Sequence, residues 1–519
     1  MSGAQSTSAG DARVTILPPR RRLLVTVVVI AATVVVILDT TIANVALPHM
    51  QASLGATPDS ISWVLTSYIL ATAVTMPAIG FLSDRLGTRT LFTGALVGFT
   101  LSSMICGIAV SLPMMVAARV LQGLFGAFLA PMSQAIMYDI NPPENHARAM
   151  TIWGVVIMVA PIMGPVLGGW ITDNFDWRWL FYINVPIGVA AAAGSWALLD
   201  DGGIRAHRFD IFGFILLALA LSALQLILDR GSLLDWFSSN EIWVELAITL
   251  GASWMFVVHV ATRRDSLLPP GLFGDRNFTA AVIAIAVIGG TSTAGAALVA
   301  PMLQRLFGYP VLQAGLLTAP RGIGTLIGMI VAGRLRKWVD TRLMIMTGLA
   351  ILGASLWMMT GFTLEMDSRP IVTSGFIQGL GLGAVALPLN LLALGTLPQR
   401  LRTEAASLYN LSRSIGGSIC ISVSSALIAR NVQVTHESLG AHLTSARLPL
   451  LSPGMIERLG ADSVTVMQYL DAQLNRQSLM IAYVDDYWLM MWAVIALMPL
   501  MLLMRVTKDD MGDLVPDAH

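Results

Sequence analysis

Residues 23–47 read LLVTVVVIAATVVVILDTTIANVAL, an apolar run long enough to cross a bilayer, with one carboxyl, Asp39, set deep inside it. No other formal charge stands between Arg22 and Asp59. An ionisable group at that depth is a functional position by default. Burial disfavours the charged form of a carboxyl, so a carboxyl whose surroundings alternate can take up and release a proton. That is the working part of a proton-coupled membrane machine. Thr40, Thr41 and Asn44 offer local partners, which would equally suit a structural ion pair or a hydroxyl-capped buried acid.

The pattern of the first run repeats along the chain. Of 519 residues, 55% are hydrophobic and 12% charged, with a mean hydropathy of +0.72, whereas soluble domains carry roughly a quarter charged residues. Apolar runs of about 20 residues, the length that spans the hydrocarbon core, start near 23, 60, 90, 114, 147, 179, 209, 242, 278, 312, 343, 370, 404 and 484. The expected fold is an all-α polytopic membrane protein with fourteen transmembrane helices. An even number of spans puts both termini on one side, and the basic residues choose the side. Arg20, Arg21 and Arg22, Arg85 and Arg89, Arg148, Arg263, Arg276, Arg334, Arg342 and Arg402 gather on one face, which makes that face and both termini cytoplasmic. The first span is too long for a signal peptide and lacks a cleavage pattern.

Net charge is +0 and names no partner. Cys106 and Cys420 fall in different halves, inside predicted spans, and read as small apolar fillers rather than a disulfide or metal site. The lysines are Lys337 and Lys508, and neither follows a glycine, so the phosphate-binding G-x-x-x-x-G-K-[ST] loop is absent from the sequence. Neither H-E-x-x-H nor G-x-S-x-G occurs, and His436-Glu437 with His442 has the wrong spacing for a zinc hydrolase. These absences argue against an enzyme and against any nucleic-acid role; no cofactor is expected, the energy coming from a proton gradient.

Three matches recur at an offset of about 255 residues, as in internally repeated transporters. Gly80-Phe81-Leu82 with Thr88-Arg89 returns as Gly333-Arg334-Leu335 with Thr341-Arg342; Gln122-Gly123-Leu124 returns as Gln378-Gly379-Leu380; Pro143 aligns with Pro398. The offset is two helices too long for six-helix units, so an inserted pair joins the halves. The expected organisation is a cytoplasmic tail 1–22, an N-terminal six-helix bundle 23–200, a linker pair 209–262, a C-terminal bundle 277–505 and a tail 506–519. Residues 430–483 are polar enough to form an outer loop, with a short amphipathic helix over 456–474.

Four groups of residues carry the expected chemistry. Arg119 and Asp39 both lie roughly 9 to 13 Å below the outer surface at 1.5 Å per helical residue, so they can meet, as a switchable or as a permanent salt bridge. The loop Gly80-Phe81-Leu82-Ser83-Asp84-Arg85-Leu86-Gly87-Thr88-Arg89 combines small residues for close helix approach with Asp84, Arg85 and Arg89 as a charge cluster able to latch a cytoplasmic gate. Pro161, Gly164, Pro165, Gly168 and Gly169 crowd one span, which suits a hinge or a seal against leak, or a merely kinked helix. Arg321 and Arg413 lie near the midplane of the second half, with Asp39 as the one carboxyl set against them. Trp63, Tyr68, Gln134, Trp153, Asn390 and Tyr409 are candidate lining residues for an apolar, adaptable cavity, or ordinary packing residues. That charge inventory favours neutral or weakly acidic amphiphiles over permanent cations as substrates.

The motif Leu38-Asp39-Thr40-Thr41 through Pro48, the loop at Gly80, Arg119 with Gln122-Gly123, the Gly164-Pro165 helix and Trp177-Arg178-Trp179 through Gly188 resemble the fourteen-spanner drug:proton antiporters of the major facilitator superfamily. The likeness covers residues 23 to 505. Leu228-Asp229-Arg230-Gly231 followed by Leu234-Asp235-Trp236-Phe237-Ser238-Ser239 points to the multidrug-efflux branch of that family. The resemblance implies an inner-membrane pump exchanging drugs for protons, and a tripartite assembly with a periplasmic membrane-fusion adaptor and an outer-membrane channel. It also implies proton coupling at Asp39 and Arg119, a cytoplasmic gate at Asp84 and its arginines, and an antiporter helix at Gly164 and Pro165. The chain departs from the family's loop at Thr88, where a basic pair usually follows the glycine and only Arg89 remains, which would weaken the gate. A sensor or embedded enzyme on a transporter scaffold is the competing class.

Overall fold

The computed structural model describes residues 18–200, 209–263, 270–336, 338–395, 397, 401–441, 463–502 and 504. Residues 1–17 of the expected tail 1–22 and all of the tail 506–519 lie outside these residues, as does 442–462 in the expected outer loop. The long helices run α1 Pro19–Leu54, α2 Trp63–Leu86, α3 Thr88–Gly107, α4 Leu112–Asp139, α5 His146–Asn174, α6 Trp179–Leu198, α7 Ile211–Arg230, α8 Asn240–Thr262, α9 Arg276–Phe307, α10 Val311–Leu335, α11 Thr341–Met359, α12 Arg369–Gly395, α13 Arg402–Gly440 and α14 Ser463–Ile495. Among the described residues, 13 helices are long and apolar enough to cross a membrane. The remaining one, α5, has 29 residues and is about 44 Å long at 1.5 Å per residue; it packs along α1 and α10. The fold is the all-α, multi-pass arrangement expected.

Local chemistry sets the helix ends. Asp275 caps α9 by accepting from the backbone N–H groups of Asn277 at 2.8 Å and Phe278 at 3.1 Å, and Asp340 caps α11 by accepting from Arg342 N–H at 2.8 Å. Gly55 and Gly308 end α1 and α9 in the left-handed region, with φ of 62° and 68°. Pro77 lacks an N–H, and α2 tightens to a 3₁₀ turn over Met76–Ala78 before resuming.

The internal repeat is visible in the packing. Helix pairs α1 with α5, α2 with α4, α3 with α4, α3 with α6 and α1 with α6 each have a counterpart eight helices later: α9 with α13, α10 with α12, α11 with α12, α11 with α14 and α9 with α14. Close-approach glycines repeat too. A side chain at Gly123 would strike the backbone carbonyl of Tyr68, and one at Gly379 would strike that of Arg321. Tyr68 and Arg321 therefore occupy matching places on α2 and α10.

The inserted pair does not hang free. Helix α7 packs on both α2 and α13, Ser422 Oγ of α13 donates to the Leu228 carbonyl at 2.7 Å, and the Phe81 and Phe209 rings sit 4.5 Å apart. The pair thus covers a seam between the halves, with α8 on its outer side. The expected outer loop 430–483 is corrected at both ends: α13 continues to Gly440 and α14 starts at Ser463, so no separate helix spans 456–474 among the described residues. Polar composition ends a membrane span there without ending the helix, because Arg430 to Gly440 and Gln468 to Tyr483 hold no proline.

Candidate functional site

Asp39 and Arg119 meet as the spacing requires. Arg119 Nη1 donates to Asp39 Oδ2 at 2.7 Å, and both residues are buried, at 2% and 0% exposure. Two further donors converge on the other carboxylate oxygen: Gln122 Nε2 at 2.9 Å and Asn184 Nδ2 at 2.8 Å. Gln122 stands one turn from Arg119 on α4 and also accepts from its Nη1 at 2.7 Å, while Asn184 reaches in from α6 and donates to Ser103 Oγ at 3.1 Å. Arg119 Nε donates to the Val64 carbonyl at 3.1 Å, and its guanidinium lies 4.4 Å from the Tyr68 ring centroid. Five helices of the first half thus build one charged centre.

The centre is tight but not fully matched. Arg119 Nη2 and Asn184 Oδ1 are buried with no hydrogen-bond partner. An orphaned buried polar group costs about 1–3 kcal/mol, which offsets part of the stability of the pair and makes it easier to open. Gln122 and Asn184 are missing from the sequence-derived site. Their signal was present, in the i, i+3 spacing of Gln122 after Arg119 and in the Asn184-Val185-Pro186 run, but no sequence pattern shows two amides turning to one carboxylate.

Helix α5 approaches this centre through a single glycine. A side chain on Gly164 would collide with Thr41 Oγ1, two residues from Asp39, whereas Gly169 faces open space. Gly168 is buried, and the helix runs unbroken through Pro161 and Pro165, whose side chains lie outside the described residues. Gly164→Val should therefore overpack α1 against α5 and destabilise the protein by about 1–3 kcal/mol, with loss of transport, while Gly169→Ala stays near wild type. Thermal unfolding of the two purified variants checks this; equal stability would show that Gly164 does not govern the contact.

The halves join at the end bearing the turns at 87 and 140–145 and the start of α13. A side chain on Gly80 would strike Glu404 of α13, and Gly87 sits at φ 83°, where a side chain is strained. Ser407 Oγ donates to the Met76 carbonyl, Arg402 pairs with Asp139 at 3.7 Å, and Tyr138 Oη donates to Asn390 Oδ1 at 3.0 Å. Gly154 and Met329 bring α5 against α10 nearby. In the Gly80 loop, Arg85 is exposed beside the Phe81 ring and Arg89 stacks 4.1 Å from the Trp196 ring centroid. Asp84 is half-buried in the same loop. Glu404, absent from the sequence-derived gate, is the group that docks on it.

The remaining candidates divide between places. Gln134 accepts from Asn410 Nδ2 at 2.8 Å and, with Asn390, Tyr409 and Trp153, is buried. Gln134 and Asn390 hydrogen-bond across the seam between the halves, to Asn410 and Tyr138. Tyr68 belongs to the Arg119 centre. Trp63 is half-buried near Arg230 of α7, 5.9 Å from its ring centroid. Arg321 Nη2 donates to Ser292 O at 2.7 Å and Oγ at 2.8 Å, so α9 satisfies it. Arg413 differs: it is exposed although buried Tyr409 and Asn410 lie just before it, and Nη2 donates to Asn410 Oδ1 at 3.1 Å.

One reading needs correction. Asp39 is not the one buried carboxyl opposite these arginines, because Asp486 of α14 is also 2% exposed. Placing 430–483 outside the membrane had put Asp486 at a span boundary, and only the packing of α14 shows it inside.

The sequence profile of the Major Facilitator Superfamily matches residues 29–420. The chain belongs to this superfamily. The fatty acid resistance protein FarB of Neisseria gonorrhoeae is 37% identical over 418 residues, which is 78% of this chain and 81% of FarB. The multidrug export protein EmrB of Escherichia coli strain K12 is 33% identical over 462 residues, or 87% of this chain and 89% of EmrB. Among solved structures, the human organic anion transporter MFSD10 superposes with a TM-score of 0.58 over 92% of this chain and all of its own, at 15% identity, and shares the fold. Superfamily membership makes the protein a multi-pass membrane protein of transporter type rather than an enzyme.

Proposed function

We propose that the protein is a proton-coupled multidrug efflux antiporter working by alternating access. The observation that carries this reading is the buried Asp39–Arg119 pair, held by Gln122 and Asn184 inside a half that is joined to its partner by the contacts above. An acid in contact with a cation stays ionised, and separation of the two makes it take up a proton. Helix α5 packs on α10 of the other half as well as on α1 at Gly164, so rocking of the halves would act on a helix that touches Thr41, two residues from Asp39. Relatives named as a multidrug export protein and as a fatty acid resistance protein support export of amphiphilic compounds, the second pointing to weak acids.

The side bearing the basic loops is cytoplasmic in this reading, and both termini lie there, in a bacterial inner membrane. Export would then proceed through a tripartite assembly with an adaptor of the EmrA kind and an outer-membrane channel of the TolC kind; lipid is the other partner and nucleic acid is not one. No cofactor is needed, because the proton gradient drives the cycle. Proton flux that depends on added substrate in reconstituted vesicles tests the reading, and substrate movement without proton movement would sink it.

The helical extensions α13 to Gly440 and α14 from Ser463 frame the segment we assign to the adaptor. Shortening 442–462 is expected to leave transport by the purified pump intact while abolishing resistance in cells. Full resistance together with copurification of the adaptor would remove the docking role.

A further inference from the structure

Helix α14 carries a carboxyl that the Asp39 centre does not use. Asp486 is 2% exposed, and both its oxygens are buried without a hydrogen-bond partner among the described residues. The groups facing it are weak. From α13 come Ser424 and Cys420; from α14 itself come Tyr483 and Tyr487. Tyr487 Oη is turned to Met302 Sδ of α9 at 3.7 Å, and its ring meets Phe362, beyond α11, at 6.0 Å. The cations nearby face its tyrosine neighbours instead: Arg305 of α9 acts on Tyr483 and Arg321 of α10 on Tyr487, while Arg321 is held by Ser292. No described ion pair includes Asp486. By the eight-helix repeat, α14 is the counterpart of α6, the helix whose Asn184 binds the Asp39 carboxylate.

A buried carboxyl with no cation beside it and only the Ser424 hydroxyl facing it from α13 is a costly group to keep in a membrane-spanning helix, and such a group is a functional position by default. We propose that Asp486 is a second proton-binding site of the transport cycle, taking up and releasing one proton per cycle as the packing of α13 and α14 around it changes. Its neighbour Asp485 is exposed and accepts from Asn431 of α13 at 3.2 Å, which sets an exposed acid one residue away. A carboxylate oxygen forms an O–H bond with one proton from the outer solution. That bond breaks on the cytoplasmic side and the proton leaves, so the gradient is the only co-reactant. This inference rests on the proton-coupled reading above.

The test is the ratio of protons moved to substrate exported, measured in proteoliposomes holding the full chain. Loss of one of two sites should lower that ratio to roughly half in Asp486→Asn, and Asp486→Glu should restore it. An unchanged ratio in Asp486→Asn overturns the proposal. Infrared difference spectra provide a measurement that does not need the variant to transport: wild type at neutral pH should show a protonated-carboxyl band that persists in Asp39→Asn. Absence of that band from wild type and from Asp39→Asn would also overturn the proposal. If wild type moved no protons at all, the coupling reading would fail by itself, whereas the infrared band would still decide the state of Asp486.

Discussion

Asp39→Asn is expected to abolish substrate-driven proton movement in proteoliposomes and to lower stability at the same time. The amide keeps the size of the carboxyl and some of its hydrogen bonds, but it neither titrates nor carries the charge that balances Arg119, which is 0% exposed. Removing one partner of a buried ion pair costs about 3–5 kcal/mol, whereas removing both charges together is often near neutral. The double variant Asp39→Asn with Arg119→Gln should therefore recover much of the lost stability and remain inactive in transport. Asp39→Glu should keep part of the activity. Thermal unfolding and vesicle pH traces on the same preparations separate the two effects; full coupling in the Asn variant would take Asp39 out of the mechanism.

The second large effect concerns substrate charge, and it falls on Arg413 rather than on both midplane arginines. Ser292 occupies Arg321, so Arg321→Gln should cost stability and change selectivity little. Arg413 lies at the edge of the seam with one described hydrogen bond, to Asn410, and a guanidinium has five N–H donors to offer a carboxylate. A hydrogen bond to a charged group contributes about 1.5–3 kcal/mol, so Arg413→Gln should cut export of a lipophilic weak acid by about 10- to 100-fold. Export of a neutral compound should change little. Side-by-side export assays with a weak acid and a quaternary ammonium compound decide the matter. A wild-type preference for the quaternary compound that neither substitution alters would defeat this substrate assignment.

These two experiments address residues that the sequence pointed to and residues that it could not. Arg119 and Asp39 were paired by depth alone, since 1.5 Å per residue turns a position in a span into a height. Glu404 gave no such signal: it opens a helix far from Gly80 in sequence, and its contact exists only because the halves are closed at that end. Gln134 and Asn390 look from sequence like any polar residues in a span, able to line a cavity or to pack. Their partners, Asn410 and Tyr138, belong to the opposite half, so their place depends on the conformation the halves adopt.

The amino-acid sequence by itself determined that this chain is a bundle of membrane-spanning helices, duplicated around an inserted pair, with an acid and a cation at one depth in the first half. Span length, the basic loops and the repeat offset are properties of the chain read in order, and lipid punishes any exposed backbone that departs from them. Tertiary structure alone decided that Gln122 and Asn184 turn to the Asp39 carboxylate, that Arg321 bonds Ser292 while Arg413 is exposed, and that Asp486 is buried with no described ion pair. Each of these depends on how far every helix is rotated about its axis. That rotation is set by close contacts such as Gly164 on Thr41 and Gly123 on Tyr68, between residues distant in sequence.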